Sequence, residues 1–196
     1  MSVPPLKNHW LNHQGVRSCA ETILAGGVVA YPTEAVWGLG CLPDDQQAVE
    51  QILALKKRSW RKGLILVAAN IEQFSSQLMG LSAEQRETLA ASWPGANTWL
   101  VPNNGTVPPW ISGDHSAVAL RVSNHPVVTA LCRQVGGPIV STSANPQGKP
   151  SATSSVKVRK YFAGESLQLA PGRVGKNQKA STIKDLLTGN VVRAGG

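Results

Sequence analysis

Short apolar runs alternate with amphipathic segments along most of this chain, and this alternation constrains its fold more than any other feature. Residues 15–25 place apolar side chains at steps of three and four, which predicts a helix, and residues 28–31 follow as a strand. The tail, 182–193, predicts two strands joined by a turn, which adds an antiparallel pair. We therefore expect an α/β fold in a single domain, residues 1–196, with a twisted mixed sheet flanked by helices.

Capping patterns predict where two further helices begin. Asp44 or Asp45 can cap a helix that runs into the basic residues after position 55. Ser82 and Gln85 have the spacing of a capping box, in which each side chain bonds the other residue's backbone N–H. Residues 102–113 are rich in Pro, Asn and Gly, and we expect them to form a loop.

Small polar residues follow two of the predicted strands. Ile139 and Val140 are typical of a buried strand, and three hydroxyls and an amide lie within residues 141–145. Such side chains pack poorly but suit a polar ligand at the end of a strand, where open α/β sheets place their sites. A turn whose polar groups satisfy one another is the alternative. The strand 28–31 ends in a similar way, at Pro32-Thr33-Glu34, and this second case favours a binding site.

Positive charge is unevenly distributed along the chain. The sequence has 19 Lys and Arg against 11 Asp and Glu, a net charge of +8, which favours an anionic partner. Five of the basic residues lie within 56–62, directly before the apolar run 63–67. Cations at a helix C-terminus are favourable against the helix dipole, which explains part of the cluster. The cluster would repel itself without a nearby anion, so we interpret it as a phosphate-binding site.

Several common kinds of site are missing from the sequence. Neither Gly-Lys pair completes a Walker A loop, and no G-x-G-x-x-G or H-E-x-x-H motif is present. Cys19, Cys41 and Cys132 are far apart in apolar settings, which predicts buried thiols in a reducing cytosol. No apolar run approaches the ~18 residues of a membrane span. We therefore expect a cytoplasmic protein without membrane contact and without a metal held by its own side chains.

Three separated motifs together resemble one known family. They are Pro32-Thr33 with Gly38-Leu39, then Lys56-Lys57-Arg58, then Ser141-Thr142-Ser143-Ala144-Asn145. In order and spacing the chain resembles the YrdC-like family, the threonylcarbamoyl-AMP synthases, over about residues 15–196. Members condense L-threonine, bicarbonate or CO2, and ATP into threonylcarbamoyl-adenylate and pyrophosphate, for the threonylcarbamoyladenosine modification of tRNA. The resemblance implies the short, single-domain form of the family.

The resemblance also implies a role for particular residues. Lys56 and Arg58 are expected at the triphosphate, with Ser143 and Asn145 holding phosphate or metal-bound water. Mg2+ is expected to arrive with ATP rather than on dedicated protein ligands. Arg121 is expected to bind the threonine carboxylate bidentately, with a surface ion pair as the alternative. The further contacts implied are Thr33, Ser141 and Ser181 for threonine, and Ser151 and Arg193 for ATP.

The sequence departs from the family pattern in two places. Ser59 stands where a proline often follows the Lys-x-Arg motif, which puts the geometry of that turn in doubt. Residues 94–98 read Pro-Gly-Ala-Asn-Thr instead of Pro-Gly-Pro-x-Thr, which could alter a wall of the site.

Two other functions compete with this interpretation. A basic RNA-binding module without its own catalysis would account for the net charge, and the six tryptophans could stack on bases. Four of them, however, lie beside segments with the pattern of a core, and no RNA-binding signature is present. A carbamoyl or acyl transferase acting on another small molecule would use the same groups. Weak tRNA binding and contact with downstream tRNA-modification proteins are compatible with the enzyme.

Overall fold

The computed structural model describes residues 7–175 and 181–194, which form a mixed sheet with helices on both faces. The strands are β1 (Val29–Pro32), β2 (Trp37–Gly40), β3 (Ile65–Ala68), β4 (Asn97–Pro102), β5 (Ala117–Val122), β6 (Ile139–Ser143), β7 (Gln168–Leu169), β8 (Thr182–Asp185) and β9 (Val191–Arg193). The helices are α1 (Lys7–Leu11), α2 (Gln14–Leu24), α3 (Gln46–Lys56), α4 (Ala83–Ser92), α5 (Pro109–Ser112), α6 (Pro126–Val135) and α7 (Ser155–Tyr161), with 3-10 turns at Trp60–Lys62 and Ile71–Phe74.

The strands are hydrogen-bonded in the order β7-β1-β2-β6-β3-β5-β4-β8-β9. Three neighbouring pairs are parallel, β1 with β7, β3 with β5 and β4 with β8, and the other pairs are antiparallel. The expected α/β class and mixed sheet are therefore confirmed. The predicted tail hairpin is present as β8 and β9.

The capping residues act as the sequence predicts. The Asp45 carboxylate accepts a hydrogen bond from the Ala48 N–H at the start of α3. Ser82 and Gln85 form both bonds of the capping box at the start of α4. These bonds satisfy N–H groups that a helix terminus otherwise leaves without an intrahelical partner.

The structure corrects one sequence prediction and excludes one of the alternatives. The region 102–113 is not wholly a loop, because α5 begins at Pro109, where a proline costs the helix no hydrogen bond. The hydroxyl run after Val140 is not a turn, because β6 continues through Ser143 and pairs with β2 and β3. These hydroxyl groups therefore project from the sheet and do not belong to a turn after the strand.

Two apolar clusters pack on opposite faces of the sheet. One contains buried residues of α3, α4 and α7 against side chains such as Leu66 and Leu120. The other packs α2 and α6 against β1 and against Val67 and Ile139. Strand β5 alternates buried and half-buried residues, so its two faces lie in different surroundings. The half-buried face carries Arg121.

Candidate active site

A cleft of about 230 Å3 lies over the face of the sheet that carries Ser141, Ser143 and Arg121. Ser141 and Ser143 are two residues apart on β6, so their side chains leave the sheet on the same face. Ile65 of β3 pairs with Ser141, and Val67, two residues further along β3, pairs with Arg121 of β5. The side chains of Ser141 and Arg121 therefore lie on the same face of the sheet. The site therefore lies over one face of the sheet, at the end of β6 and directly after β1, as expected from the sequence; which face it occupies was not predicted.

Eight of the ten predicted site residues meet in this cleft, although they are spread from position 33 to position 193. Glu34 also lines it and was not assigned a role from the sequence. The predicted residues in the lining are Thr33, Arg58, Arg121, Ser141, Ser143, Ser151, Ser181 and Arg193. Lys56 and Asn145 are outside the lining but contact residues within it.

Lys56 is buried at the end of α3, where it holds the chain after β6. Its side-chain amine donates hydrogen bonds to the Ser143 carbonyl and, at 3.0 Å, to the Asn145 carbonyl, and lies 3.5 Å from the Ser143 hydroxyl. The Lys56 carbonyl accepts a bond of 2.7 Å from the Gln147 N–H. Burial, followed by the positive charge of Arg58, lowers the pKa of Lys56 to about 8. Lys56 therefore fixes the loop that bears Asn145 and adds charge beside Ser143.

The Asn145 side chain is oriented by its own loop. Its amide nitrogen donates to the carbonyls of Pro146, at 3.1 Å, and Lys149, at 2.7 Å. The amide oxygen lies 3.5 Å from the hydroxyl of Ser151, which lines the cleft. With both amide hydrogens used, the oxygen is the atom left to receive a donor or a cation.

Arg58 and Arg193 bring two like charges to one wall of the cleft. Arg58 donates to the Gly63 carbonyl at 2.9 Å, and Arg193 donates to the Ser181 carbonyl at 3.0 Å. Burial, with the nearby charge of Arg193, lowers the pKa of Arg58, and partial burial lowers the pKa of Arg193. Two guanidinium groups held so close create a positive potential that an anion would relieve.

Arg121 has a partner within the protein that the sequence did not reveal. Its Nη2 lies 2.5 Å from a carboxylate oxygen of Glu34, and its Nε donates to the Gly95 carbonyl at 3.0 Å. Gly95 belongs to the segment 94–98 in which the sequence departs from the family pattern, so this segment does form part of the site. Arg121 therefore forms an ion pair, but a buried one and not the surface pair that the sequence offered as the alternative to threonine binding.

The hydroxyls of the cleft are also held in place. Thr33 donates its hydroxyl hydrogen to the Val36 carbonyl at 2.7 Å, which leaves its oxygen as an acceptor. The Ser181 hydroxyl is 2.9 Å from that of Thr98, which is fully buried beneath it. A ligand here meets fixed hydroxyl groups rather than mobile ones.

A second, larger cavity of about 510 Å3 adjoins the cleft. The two share Arg58, Arg193 and residues 63–65, so the arginines stand at the boundary between them. The rest of its wall is mixed, with apolar side chains such as Leu100 and Ile183 beside polar ones such as Asp114 and Asp185. Together the two cavities could hold an elongated ligand with an anionic middle.

Other kinds of site receive little support from the described part of the chain. Within residues 7–175 and 181–194, no three His, Cys, Asp or Glu side chains come together as a metal-binding group. Over the same residues, the helices are all too short or too polar to cross a membrane. The three cysteines are free and buried, as the sequence predicts.

Comparison with known proteins agrees with this geometry. The family model of the Sua5, YciO and YrdC proteins, described as "Telomere recombination", matches residues 21–195. The chain belongs to this family. It is 57% identical to the threonylcarbamoyl-AMP synthase of Saccharophagus degradans, over 95% of this chain and 98% of that one. It is 52% identical to the threonylcarbamoyl-AMP synthase of Cellvibrio japonicus, over 94% and 97% of the two chains.

Solved structures of Sua5 and YciO share the fold. P. abyssi Sua5 in complex with L-threonine superposes with a TM-score of 0.83 at 33% identity. The match covers 92% of this chain and 54% of the Sua5 chain, so this chain spans about half of that protein. E. coli YciO, at 23% identity and a TM-score of 0.81, supports the fold alone and covers 98% and 91% of the two chains.

Sequence reasoning gave Glu34 no role, although it named Thr33, the residue before it, as a site residue. The available signal was a carboxylate two residues after a strand of four buried residues, because an acidic side chain in such a place needs a cationic partner. The distance in sequence between Glu34 and Arg121 hid that partner until the fold brought the two together.

Proposed function

We propose that this chain is an L-threonylcarbamoyladenylate synthase, which makes threonylcarbamoyl-AMP and pyrophosphate from L-threonine, bicarbonate or CO2, and ATP. The observation that carries the proposal is the convergence of Arg58, Arg121 and Arg193 on one cleft, where Glu34 is the sole acidic residue among the described residues of the lining. The reaction brings together a triphosphate and an amino acid carboxylate, and this excess of positive charge suits both. The names of the close relatives agree with the same reaction.

ATP would lie across the boundary between the two cavities. Arg58 and Arg193 would hold the phosphates there, with Ser143 and Ser151 as hydroxyl donors. The adenosine would then extend into the second cavity, where apolar side chains such as Leu100 and Ile183 could contact the base and polar ones such as Ser116 and Asp185 could hydrogen-bond to it or to the ribose. Lys56 would add positive charge behind Ser143, since its amine lies 3.5 Å from that hydroxyl.

Mg2+ would enter with the phosphates and neutralise part of their charge. The oxygens near the phosphate position, the Ser143 hydroxyl and the Asn145 amide oxygen, could coordinate Mg2+ or accept a hydrogen bond from its bound water. The amide oxygen of Asn145 is left available because both amide hydrogens bond to carbonyls.

Threonine would occupy the part of the cleft beside Arg121. Its carboxylate would bind Arg121, while Thr33, Ser141 and Ser181 would surround its amine and hydroxyl. The Thr33 hydroxyl can only accept there, because its hydrogen is donated to the Val36 carbonyl. The amine, which carries hydrogens, is the group that such an oxygen would bind.

The chemistry then needs no protein nucleophile. The neutral threonine amine attacks CO2 and loses a proton, forming a carbamate. A carbamate oxygen attacks the α-phosphorus of ATP, the bond from that phosphorus to the bridging oxygen breaks, and pyrophosphate leaves. Holding the reactants in line and stabilising the charge of the phosphates are the main contributions expected of the residues here.

The product would serve the threonylcarbamoyl modification of tRNA in the cytoplasm, through downstream modification proteins. Direct tRNA affinity is expected to be weak. The alternative of a pure RNA-binding module is not favoured, because Trp37, Trp93 and Trp99 are buried and cannot stack on bases. Trp60, which the sequence placed beside the core, is in fact 43% exposed.

An assay of ATP–pyrophosphate exchange tests the proposal. We expect exchange to require both threonine and bicarbonate, and other amino acids to replace threonine poorly. The Arg58→Ala protein should lose exchange, whereas Lys57→Ala, which alters an exposed neighbour, should keep it. Exchange without bicarbonate, or equal exchange with every amino acid, would contradict the proposal.

A further inference from the structure

Glu34 is an acidic residue among the arginines of the cleft, and each of its two carboxylate oxygens has its own partners. One carboxylate oxygen accepts hydrogen bonds from the Ser123 hydroxyl, at 2.7 Å, and from the Asn124 N–H, at 3.2 Å. The other oxygen lies 2.5 Å from Arg121 Nη2. The residue is only 6% exposed, and the oxygen that faces Arg121 is fully buried. That oxygen therefore contacts Arg121 and is not accessible to a ligand in the cleft.

The support behind Glu34 is itself ordered. Ser123 is 2% exposed, its N–H donates to the Ala68 carbonyl, and its hydroxyl accepts a bond from the His125 N–H while donating to Glu34. The hydroxyl thus has a defined direction, because its oxygen and its hydrogen are both engaged. Glu34 is therefore hydrogen-bonded to an ordered loop at the start of α6 and not to a mobile surface segment.

Arg121 is consequently held at two of the three nitrogens of its guanidinium group. Nε is bonded to the Gly95 carbonyl, and Nη2 is paired with Glu34. A free arginine must give up rotamer freedom when it binds a carboxylate, whereas one already held in place gives up little. A side chain fixed in this way also presents its remaining donors in a single direction.

We propose that Glu34 is the positioning residue for threonine: it holds Arg121 in the orientation that receives the substrate carboxylate. The inference rests on the proposed function, since it assigns Arg121 to threonine. Glu34 would act on the binding of threonine and not on that of ATP, because its contacts are to Arg121, Ser123 and Asn124.

The charge of Glu34 is maintained by its neighbours. Burial alone would raise the pKa of this carboxyl group, but the positive charge of Arg121 and the Ser123 hydrogen bond outweigh burial and lower it. The other titratable group facing it is His125, whose pKa is lowered chiefly by burial. Glu34 is therefore an anion wherever the enzyme is assayed near neutral pH.

The test replaces Glu34 with Gln, which keeps the shape of the side chain and removes its charge. Threonine would be titrated at saturating ATP and bicarbonate, ATP would be titrated at saturating threonine, and threonine binding would be measured separately by calorimetry. We expect Glu34→Gln to raise the threonine KM and Kd at least tenfold, with the ATP KM and kcat within about twofold. Glu87→Gln, a matched change at an exposed position of α4, should alter none of these.

A double-mutant cycle separates positioning from a general loss of structure. If Glu34 acts through Arg121, Glu34→Gln should add little in a protein that already carries Arg121→Lys. Ser123→Ala, which removes one hydrogen bond but keeps the carboxylate, should raise the threonine KM by a smaller factor of about three. This variant also provides the test if Glu34→Gln fails to fold, which thermal unfolding would reveal.

Three outcomes would overturn the inference. They are an unchanged threonine titration in Glu34→Gln, an equal rise in the KM for ATP and for threonine, and full additivity of Glu34→Gln with Arg121→Lys. Failure of the proposed function is a different result, because the unaltered protein would then show no threonine-dependent turnover.

Discussion

Lys56 offers a prediction whose size follows from its surroundings. Burial, followed by the charge of Arg58, lowers the pKa of its amine from 10.5 to about 8. The charged fraction is then about 90% at pH 7, half at pH 8 and about 10% at pH 9, whereas an ordinary lysine stays charged throughout this range. If the positive charge beside Ser143 helps to hold the phosphates, kcat/KM for ATP should fall about fivefold between pH 8 and pH 9, and by up to about tenfold per pH unit beyond that.

The assay measures kcat/KM for ATP between pH 6.5 and 9.5 in the unaltered protein, Lys56→Arg and Lys57→Ala. The amine of threonine and the CO2–bicarbonate equilibrium also titrate in this range, but they affect all three proteins equally. We expect the fall above pH 8 in the unaltered protein and in Lys57→Ala, and its absence in Lys56→Arg, which stays charged. Lys57 is a fair control because it is the exposed C-cap of α3.

Removal of the charge altogether gives the upper limit of the effect. Lys56→Ala should raise the free energy of the transition state by ~2–4 kcal/mol, which lowers kcat/KM about 30- to 1000-fold, and Arg58→Ala should do the same. Part of the Lys56→Ala effect comes from the carbonyls of Ser143 and Asn145, which lose their donor. The reasoning is refuted if Lys56→Arg shows the same fall above pH 8, or if Lys57→Ala costs as much as Lys56→Ala.

Three further predictions concern other parts of the molecule. Arg121→Lys should raise the threonine KM far more than the ATP KM, because lysine cannot replace a planar guanidinium that is held by Gly95 and Glu34 while it receives the substrate, and valine should be a much poorer substrate than threonine; steady-state titrations check both. Ser82→Ala should lower the free energy of unfolding by about 1 kcal/mol through loss of the capping box, measured by urea denaturation against Ser76→Ala, which removes no cap. Affinity for tRNA, measured by filter binding, should fall steeply as salt rises, and tight binding at physiological salt would contradict an electrostatic contact.

Local chemistry made several helix boundaries predictable. Asp45 and Ser82 cap helices through bonds to residues three positions away, so the sequence alone contains the whole interaction. The alternation of β5 likewise shows in the residue pattern. These features depend on near neighbours, and tertiary packing did not change them.

Strand β2 shows what local chemistry cannot predict. The sequence of Trp37–Gly40 contains two glycines, which disfavour a strand on propensity alone. In the fold, a Cβ at Gly40 would lie 2.7 Å from the Tyr31 ring and would meet the Val140 carbonyl. Glycine is therefore needed for close packing between strands, and that reason becomes visible only when β1, β2 and β6 are side by side.

The position of the cleft depends on the same kind of long-range information. Ala117, Ala119 and Arg121 share the half-buried face of β5, and small residues at alternate positions suit a covered surface as well as the floor of a cavity. Helices α2 and α6 pack over β1 and over Val67 and Ile139, and Arg193 of β9, at the edge of the sheet, lines the cleft. The positions of the helices and edge strands thus decide which part of a sheet face becomes the floor of the cleft. The residue pattern of one strand does not encode those positions. The resemblance of separated motifs could name the residues of the site, but only the fold shows that they meet on a sheet face and that Glu34 holds one of them.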